Sequence, residues 1–182
     1  MKLKKLSVII PARNEAENLD ECVSEIAHLL IKNFIKHEIL VIDDGSTDNT
    51  TNVIEGLCDR FSSVACIFNK EENGFGRAVN LGLKAFSGDA VAIMMADLSD
   101  NPHDLVYYWK TLQEGHECAF GSRFVSGGKV LNYPHLKLFM NRLVNSMIRF
   151  TFNINYNDTT NAFKMYRRGV IEGSKPFLCT HH

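Results

Sequence analysis

The chain has 182 residues, 45% of them hydrophobic, enough for one globular domain with a real core. A net charge of −1 with both signs mixed throughout gives no sign of the basic face that binding to bulk nucleic acid requires. Five cysteines without a Cys-x-x-Cys pair argue against a disulfide framework or zinc site and for a reducing, cytoplasmic setting.

The opening "MKLKKLSVIIPARNE" has too short an apolar stretch for a secretory signal, and no segment reaches the roughly 20 apolar residues that span a bilayer. Leu6 to Ile10 ("LSVII") reads as a strand. The amphipathic helix "AENLDECVSEIAHLLIKNF" follows, with Leu19, Val23, Ile26 and Leu30 on one face. Glu38 to Asp43 is a second strand, "DGSTDNT" is turn chemistry, and a helix runs from about Thr50 to Phe61. "VACIF" is the third strand, "NKEENGFG" a loop and "RAVNLGLKAF" a helix. "AVAIMM" is the fourth strand, and a further helix starts at Pro102. Beyond "CAFGSRF" the alternation stops. "GGKVLNY" has the composition of a flexible loop, "HLKLFMNRLVNSMIRFTF" is a helix, and "NDTTNAFKMYRRGVI" closes the readable part.

Apolar strands separated by helices predict an α/β fold: a mostly parallel, Rossmann-like sheet with helices on both faces. Right-handed crossovers gather the C-terminal strand ends on one rim, where ligands bind near a switch in strand order. Those ends are "PARNE", "DDGS" and "ADLSD". Any one of these carboxylates is explained equally well as a turn former or helix cap. Three polar strand ends together point to a site.

Asp97, Ser99 and Asp100 form an all-oxygen cluster suited to Mg²⁺ or Mn²⁺, which take one or two carboxylates and complete their shells with substrate phosphates. Arg123, Lys137 and Arg142 are candidate partners for phosphate oxygens. A carboxylate-metal centre flanked by cations implies a diphosphate ligand. "NGFGRAVNLG" is not a dinucleotide fingerprint, because Val79 stands where a third small residue belongs and the segment follows the third strand. Gly74 and Gly76 read instead as permitting close backbone approach and starting a helix.

Taken together, these motifs resemble inverting family 2 glycosyltransferases of the GT-A fold, and within them the polyprenyl-phosphate glycosyltransferases such as dolichol-phosphate mannose synthases. "SVIIPARNEAENL" resembles the opening strand and P-x-x-N-E loop, and "EILVIDDGSTDNT" the D-D-G-S-x-D-x-T turn. "NGFGRAVNLGLKAFSGD", "ADLSDNP", "GSRFVSGG" and "NDTTNAFKMYRR" resemble four further motifs in the family's order, so the likeness runs from about Leu6 to Arg168.

The resemblance implies that Pro11, Arg13, Glu15, Asp43, Asp44 and Ser46 line the nucleotide pocket. It implies that Asp97 binds the metal on the donor diphosphate with Ser99 as a further ligand. Arg123 and Lys137 would contact phosphates, and Asp158 would lie near the acceptor or sugar. The implied reaction moves a sugar from a GDP- or UDP-linked donor to a polyprenyl phosphate, with inversion, at the cytoplasmic face of a membrane. An anionic phosphate acceptor needs little base assistance; a hydroxyl acceptor does, and Asp158 is the candidate. The helix from Leu136 to Phe152 has the Lys/Arg and Leu/Phe/Met mixture of a peripheral membrane contact, and equally of a core helix.

The chain departs from the family pattern at named positions. Met95 replaces the first aspartate of D-x-D, Lys137 and Lys164 replace arginines, and Asp100 replaces a histidine, offering a carboxylate near the one that is missing. Two other readings stay open: a nucleotide-sugar-binding domain without catalysis, and a transferase acting on a saccharide hydroxyl. Residues 1–182 read as a single catalytic domain shortened at its C-terminus.

Overall fold

In a computed structural model, residues 2–122 and 135–174 are described, with only the helical backbone for residues 135–139. The elements are β1 (Leu6–Ala12), α1 (Leu19–Lys32), β2 (His37–Asp43), α2 (Thr50–Arg60), β3 (Val64–Phe68) and α3 (Phe75–Ala85). They continue with β4 (Ala90–Ile93), α4 (His103–Gln113), β5 (Cys118–Phe120), α5 (His135–Phe152), β6 (Lys164–Arg167) and α6 (Arg168–Ser174). The strands form one six-stranded sheet in the order β3-β2-β1-β4-β6-β5. β1 pairs in parallel with both β2 and β4, β2 pairs in parallel with β3, and β6 runs antiparallel to β4. The mostly parallel α/β sheet therefore matches the expectation. β5 and the antiparallel β6 add to it, because "CAF" and "KMYR" are too short to show a period.

Residues 1–119 with 163–182 form one compact unit, and residues 120–162 a second. In the first, helices cover both faces. Val8 and Ile10 of β1 point to the side of Ile26, Leu57 and Leu105, from α1, α2 and α4. Ile9 points the other way, to Ala78 and Leu83 of α3 and Ile171 of α6. α3 lies so close that a Cβ on Gly82 would stand 2.6 Å from Ile9 Cγ2. The edge strand β3 is buried fully only at Val64, and among the described residues nothing pairs with its outer side.

α1 buries Leu19, Cys22, Val23, Ile26, Ala27, Leu29 and Leu30, the face read from the sequence plus its neighbours. It ends in a Schellman motif: Phe34 N–H donates to Ile31 C=O (3.0 Å) and Ile35 N–H to Leu30 C=O (3.0 Å). Phe34, at φ 56°, occupies the left-handed position that glycine usually fills.

The second unit contains α5 and the segment that returns from it. Its organiser is Asn145, buried on α5. Asn145 Oδ1 accepts from Thr159 N–H (2.7 Å) and Thr159 Oγ1 (2.7 Å), while Nδ2 donates to Thr160 Oγ1 (3.2 Å) and to Asn141 C=O (3.0 Å). Among the described residues no helix is long and apolar enough to cross a membrane.

Candidate functional site

The strand order reverses at β1: β2 and β3 lie on one side of it and β4 on the other. The loops after β1 and β4, which are neighbouring parallel strands, thus leave the sheet side by side at the C-terminal rim and frame a crevice there, the place where open α/β sheets take their ligands. Each loop carries residues singled out above.

The loop after β1 is laced to the loop after β2. Asn14, at φ 57°, donates its N–H to Ser46 Oγ (3.1 Å) and accepts on Oδ1 from Thr47 N–H (2.8 Å). Glu15 N–H donates to Thr50 Oγ1 (2.9 Å), and Asp44 N–H to Ala12 C=O (2.9 Å). The two adjacent aspartates are both buried. Asp43 accepts from Ser46 N–H (2.9 Å) and Thr51 Oγ1 (2.8 Å). Asp44 accepts from Asn69 Nδ2 (2.6 Å) and Gly74 N–H (2.7 Å), tying down the loop before α3. Their carboxylates thus hold the walls of the corner, with every oxygen engaged by the chain itself.

Asn73 closes the third side. With its amide oriented by its partners, it donates to Asp44 C=O (3.3 Å) and accepts from the Arg13 guanidinium (3.1 Å). Gly45, at φ 71°, sits so close that a Cβ there would meet the end of the Asn73 side-chain amide at 2.6 Å. Pro11, Arg13, Glu15, Asp43, Asp44 and Ser46 therefore do belong to one corner. Gly74 and Gly76 lie in the segment that starts α3, but a Cβ on either would touch nothing within 4 Å. No close backbone approach among the described residues requires them.

After β4 the chain makes a compact turn. Asp97 is exposed and accepts from Ser99 N–H on Oδ1 (3.0 Å); its other oxygen has no hydrogen-bond partner among the described residues. Leu98 takes φ 57°. The Met95 peptide is gripped on both sides: its N–H donates to Asp100 Oδ2 (3.3 Å) and its C=O accepts from Cys22 Sγ (3.7 Å). Burial pushes the Cys22 thiol up to about 12, and the negative charges of Asp100, Asp97, Glu25 and Glu15 add to the shift. Glu15 and Asp97, from the loops after β1 and β4, act on the same buried thiol.

The profile of glycosyl transferase family 2 matches residues 7–174. The chain belongs to that family. Dolichol-phosphate mannosyltransferase of Pyrococcus furiosus is 34% identical over 171 residues, covering 93% of this chain and 48% of that protein. Polyprenol monophosphomannose synthase of Mycolicibacterium smegmatis is 34% identical over 172 residues, covering 91% and 62% respectively. The chain spans about half to three-fifths of the length of these curated relatives.

Among solved structures, Staphylococcus aureus TarS (residues 1–349) aligns with a TM-score of 0.69 at 23% identity, over 94% of this chain and 49% of that one. The mannosyltransferase PcManGT of Pyrobaculum calidifontis, in complex with GDP-Man and Mn²⁺, aligns with a TM-score of 0.64 at 20% identity, over 95% and 47%. At these identities the likeness is one of fold, and that fold is the GT-A glycosyltransferase architecture expected from the sequence.

Among the described residues of this family 2 domain, no three His, Cys, Asp or Glu side chains stand together as a ready-made metal cage. The donor set nonetheless fits Mg²⁺ or Mn²⁺. These ions retain water and need only one or two carboxylates beside substrate phosphates. Asp97 offers an exposed, uncommitted oxygen, and Ser99 is beside it. Asp100, the other expected ligand, spends Oδ2 on Met95 N–H and so shapes the turn.

Arg123 and the side chain of Lys137 lie outside the described residues, as does the "GGKVLNY" loop. Arg142 is exposed on α5. Asp158, in the second unit, is fully buried, with Thr160 Oγ1 3.5 Å from its Oδ1. The sequence reading missed Asn14, Asn69, Asn73 and Cys22. The first three were marked by position, inside the quoted motifs and beside turns; Cys22 had no local signal.

Proposed function

We propose that this domain transfers a sugar from a nucleoside-diphosphate sugar to a polyprenyl phosphate, with inversion at the anomeric carbon. GDP-mannose is the first donor to test, since two curated relatives are named as mannosyl enzymes of polyprenols. The observation that carries the reading is the crevice at β1: a laced corner holding Arg13 and Glu15 on one side, an exposed, half-committed Asp97 on the other.

The corner receives the nucleoside, and Asp97 faces the diphosphate. A divalent cation bound there would act as a Lewis acid for the charge that grows on the departing diphosphate. The chain's part is to keep the Asp97 carboxylate in place, which the Met95 clamp and the Ser99 N–H do before substrate arrives. Preorganisation of this kind costs nothing at the moment of reaction. Arg123 and Lys137 supply cations for donor and acceptor phosphates. The acceptor phosphate oxygen attacks opposite the leaving group and is already anionic. Full burial of Asp158 favours this acceptor over a hydroxyl, which would need an accessible base.

α5 supports a lipid acceptor. Met140, Leu143, Val144, Met147 and Phe150 are all exposed and follow helical spacing, with Arg142 and Arg149 also at the surface. Such a helix would lie in the headgroup region at the cytoplasmic face.

The test is Asp97→Ala, assayed with radiolabelled GDP-mannose or UDP-glucose, Mn²⁺ and short-chain polyprenyl phosphate. Transfer should fall by about 10²–10³-fold or more while the melting temperature holds. Unimpaired transfer by this variant would refute the placement of the diphosphate. Binding of nucleoside diphosphate without transfer by the unaltered protein would leave only the binding-domain reading.

A further inference from the structure

The rim opposite the crevice carries two adjoining open troughs, of about 530 and 260 Å³, which share Lys2, Trp109, Lys110 and Gln113. Their cations are Lys2, Lys4, Lys36, Lys110 and Arg167, and no aspartate or glutamate lines either trough. In a chain of net charge −1 this is a marked local excess. The Arg167 guanidinium is engaged, donating to His116 C=O (2.8 Å) and Leu112 C=O. The four lysines make no ion pair among the described residues, although the charge of Asp89 interacts with that of Lys4.

The lysines are held in place. Gln113 exchanges hydrogen bonds with both backbone groups of Leu3 (3.2 and 2.8 Å), and Asp89 accepts from the N–H groups of Lys4 (2.6 Å) and Lys5 (3.0 Å). Leu3 is buried, so Lys2 and Lys4 on either side of it face outward.

Phe34 lies at the edge of the smaller trough and is 97% exposed. This position costs the fold twice. The left-handed backbone there disfavours every residue but glycine and a few polar ones, and the ring gains nothing from the core. Ile31, 57% exposed on the last turn of α1, lies beside it in the chain. An aromatic ring retained at such cost, next to a carboxylate-free basic trough, has the composition of a recognition surface.

We propose that this rim docks an acidic polypeptide segment of a partner protein, with carboxylates along the lysine trough and an apolar side chain against Phe34. The occupant is argued from charge complementarity and shape. The troughs are concave and adjoin along four shared residues, which suits a chain laid across both, whereas a bilayer surface meets convex wedges.

The test uses fluorescence anisotropy with a labelled peptide of repeating Glu-Glu-Leu, in low salt, without donor or metal, so it reads independently of sugar transfer. The unaltered protein should bind saturably. The double variant Lys36→Glu/Lys110→Glu should weaken binding about tenfold or more, while Lys70→Glu at the opposite rim leaves it unchanged. Phe34→Gly should weaken binding while the melting temperature holds or rises, which a structural role for the ring would not allow.

Absence of saturable binding, or equal weakening by Lys70→Glu, overturns the proposal. So does displacement of the peptide by inorganic pyrophosphate at equal charge concentration, which would mark a small-anion site. Flotation with phosphatidylglycerol vesicles that depends on Phe34, without peptide binding, would assign the rim to a membrane instead.

Discussion

Replacing Glu38 by glutamine tests the electrostatic clip that joins the start of β2 to the α3–β4 connection. Glu38 receives Lys5 Nζ (2.5 Å) and Ser87 Oγ (2.7 Å) on Oε2, and Ser7 Oγ (2.5 Å) and Ser87 N–H (2.6 Å) on Oε1. Burial by itself would raise its pKa, but these hydrogen bonds outweigh it and hold the carboxyl down at about 2, against an ordinary value of 4.5. Because the folded value is depressed, the stabilisation is complete above pH 4.5 and is lost as pH falls from there toward 2. Converted in full, the shift would be worth roughly 3 kcal/mol. The side chain is still 17% exposed and its lysine partner 27%, so solvent screening brings this to about 1–2 kcal/mol. Glutamine keeps an acceptor for the serines but turns its amide toward the Lys5 ammonium. Glu38→Gln should therefore lower the melting temperature by roughly 2–8 °C at pH 7, a gap that closes progressively below pH 4.5. Urea titrations of both proteins from pH 7 to 3 measure it. A stability difference that stays constant over that range, or is absent at pH 7, would refute the assignment.

Gly82→Ala should destabilise the first unit by about 1–3 kcal/mol, because its Cβ would overlap Ile9 Cγ2; combining it with Ile9→Val should recover part of the loss in a chemical denaturation series. Asn145→Ala removes the bonds that hold Thr159 and Thr160 and should cost about 2–3 kcal/mol, or show locally as faster amide exchange across residues 158–161. Cys22, buried and pushed up to about 12, should resist iodoacetamide at pH 8 in the folded protein and react on unfolding, as peptide mass spectrometry would show.

The elements that the sequence revealed were those whose information is local. α1 announced itself by apolar residues at three- and four-residue spacing, and β1, β2 and β4 by unbroken apolar runs. α5 was bounded at the same residues, His135 to Phe152, although its periodicity could not say which face meets solvent. β6 was unreadable because four residues carry no period, and its antiparallel partner lies over 70 positions earlier. In the site, "PARNE", "DDGS" and "ADLSD" were legible as strand ends, and the family match confirms the resemblance they carried. What each carboxylate touches was not. Asp100, read as a ligand by its proximity to Asp97, also accepts from Met95 N–H within a turn where Leu98 is left-handed, a contact no local pattern announced.

By itself, then, the order of residues determined the alternation of strands and helices, the parallel sheet and the chemistry placed at its strand ends, since all of these depend on neighbours along the chain. Only the tertiary structure decided which charges meet. A count of 20 basic against 21 acidic residues hides any basic face. A parallel sheet nevertheless brings strand beginnings and helix ends to one rim, so Lys2, Lys4, Lys36 and Lys110 line one trough from three separate segments. Coulomb interactions depend on distance in space, and composition holds no distances.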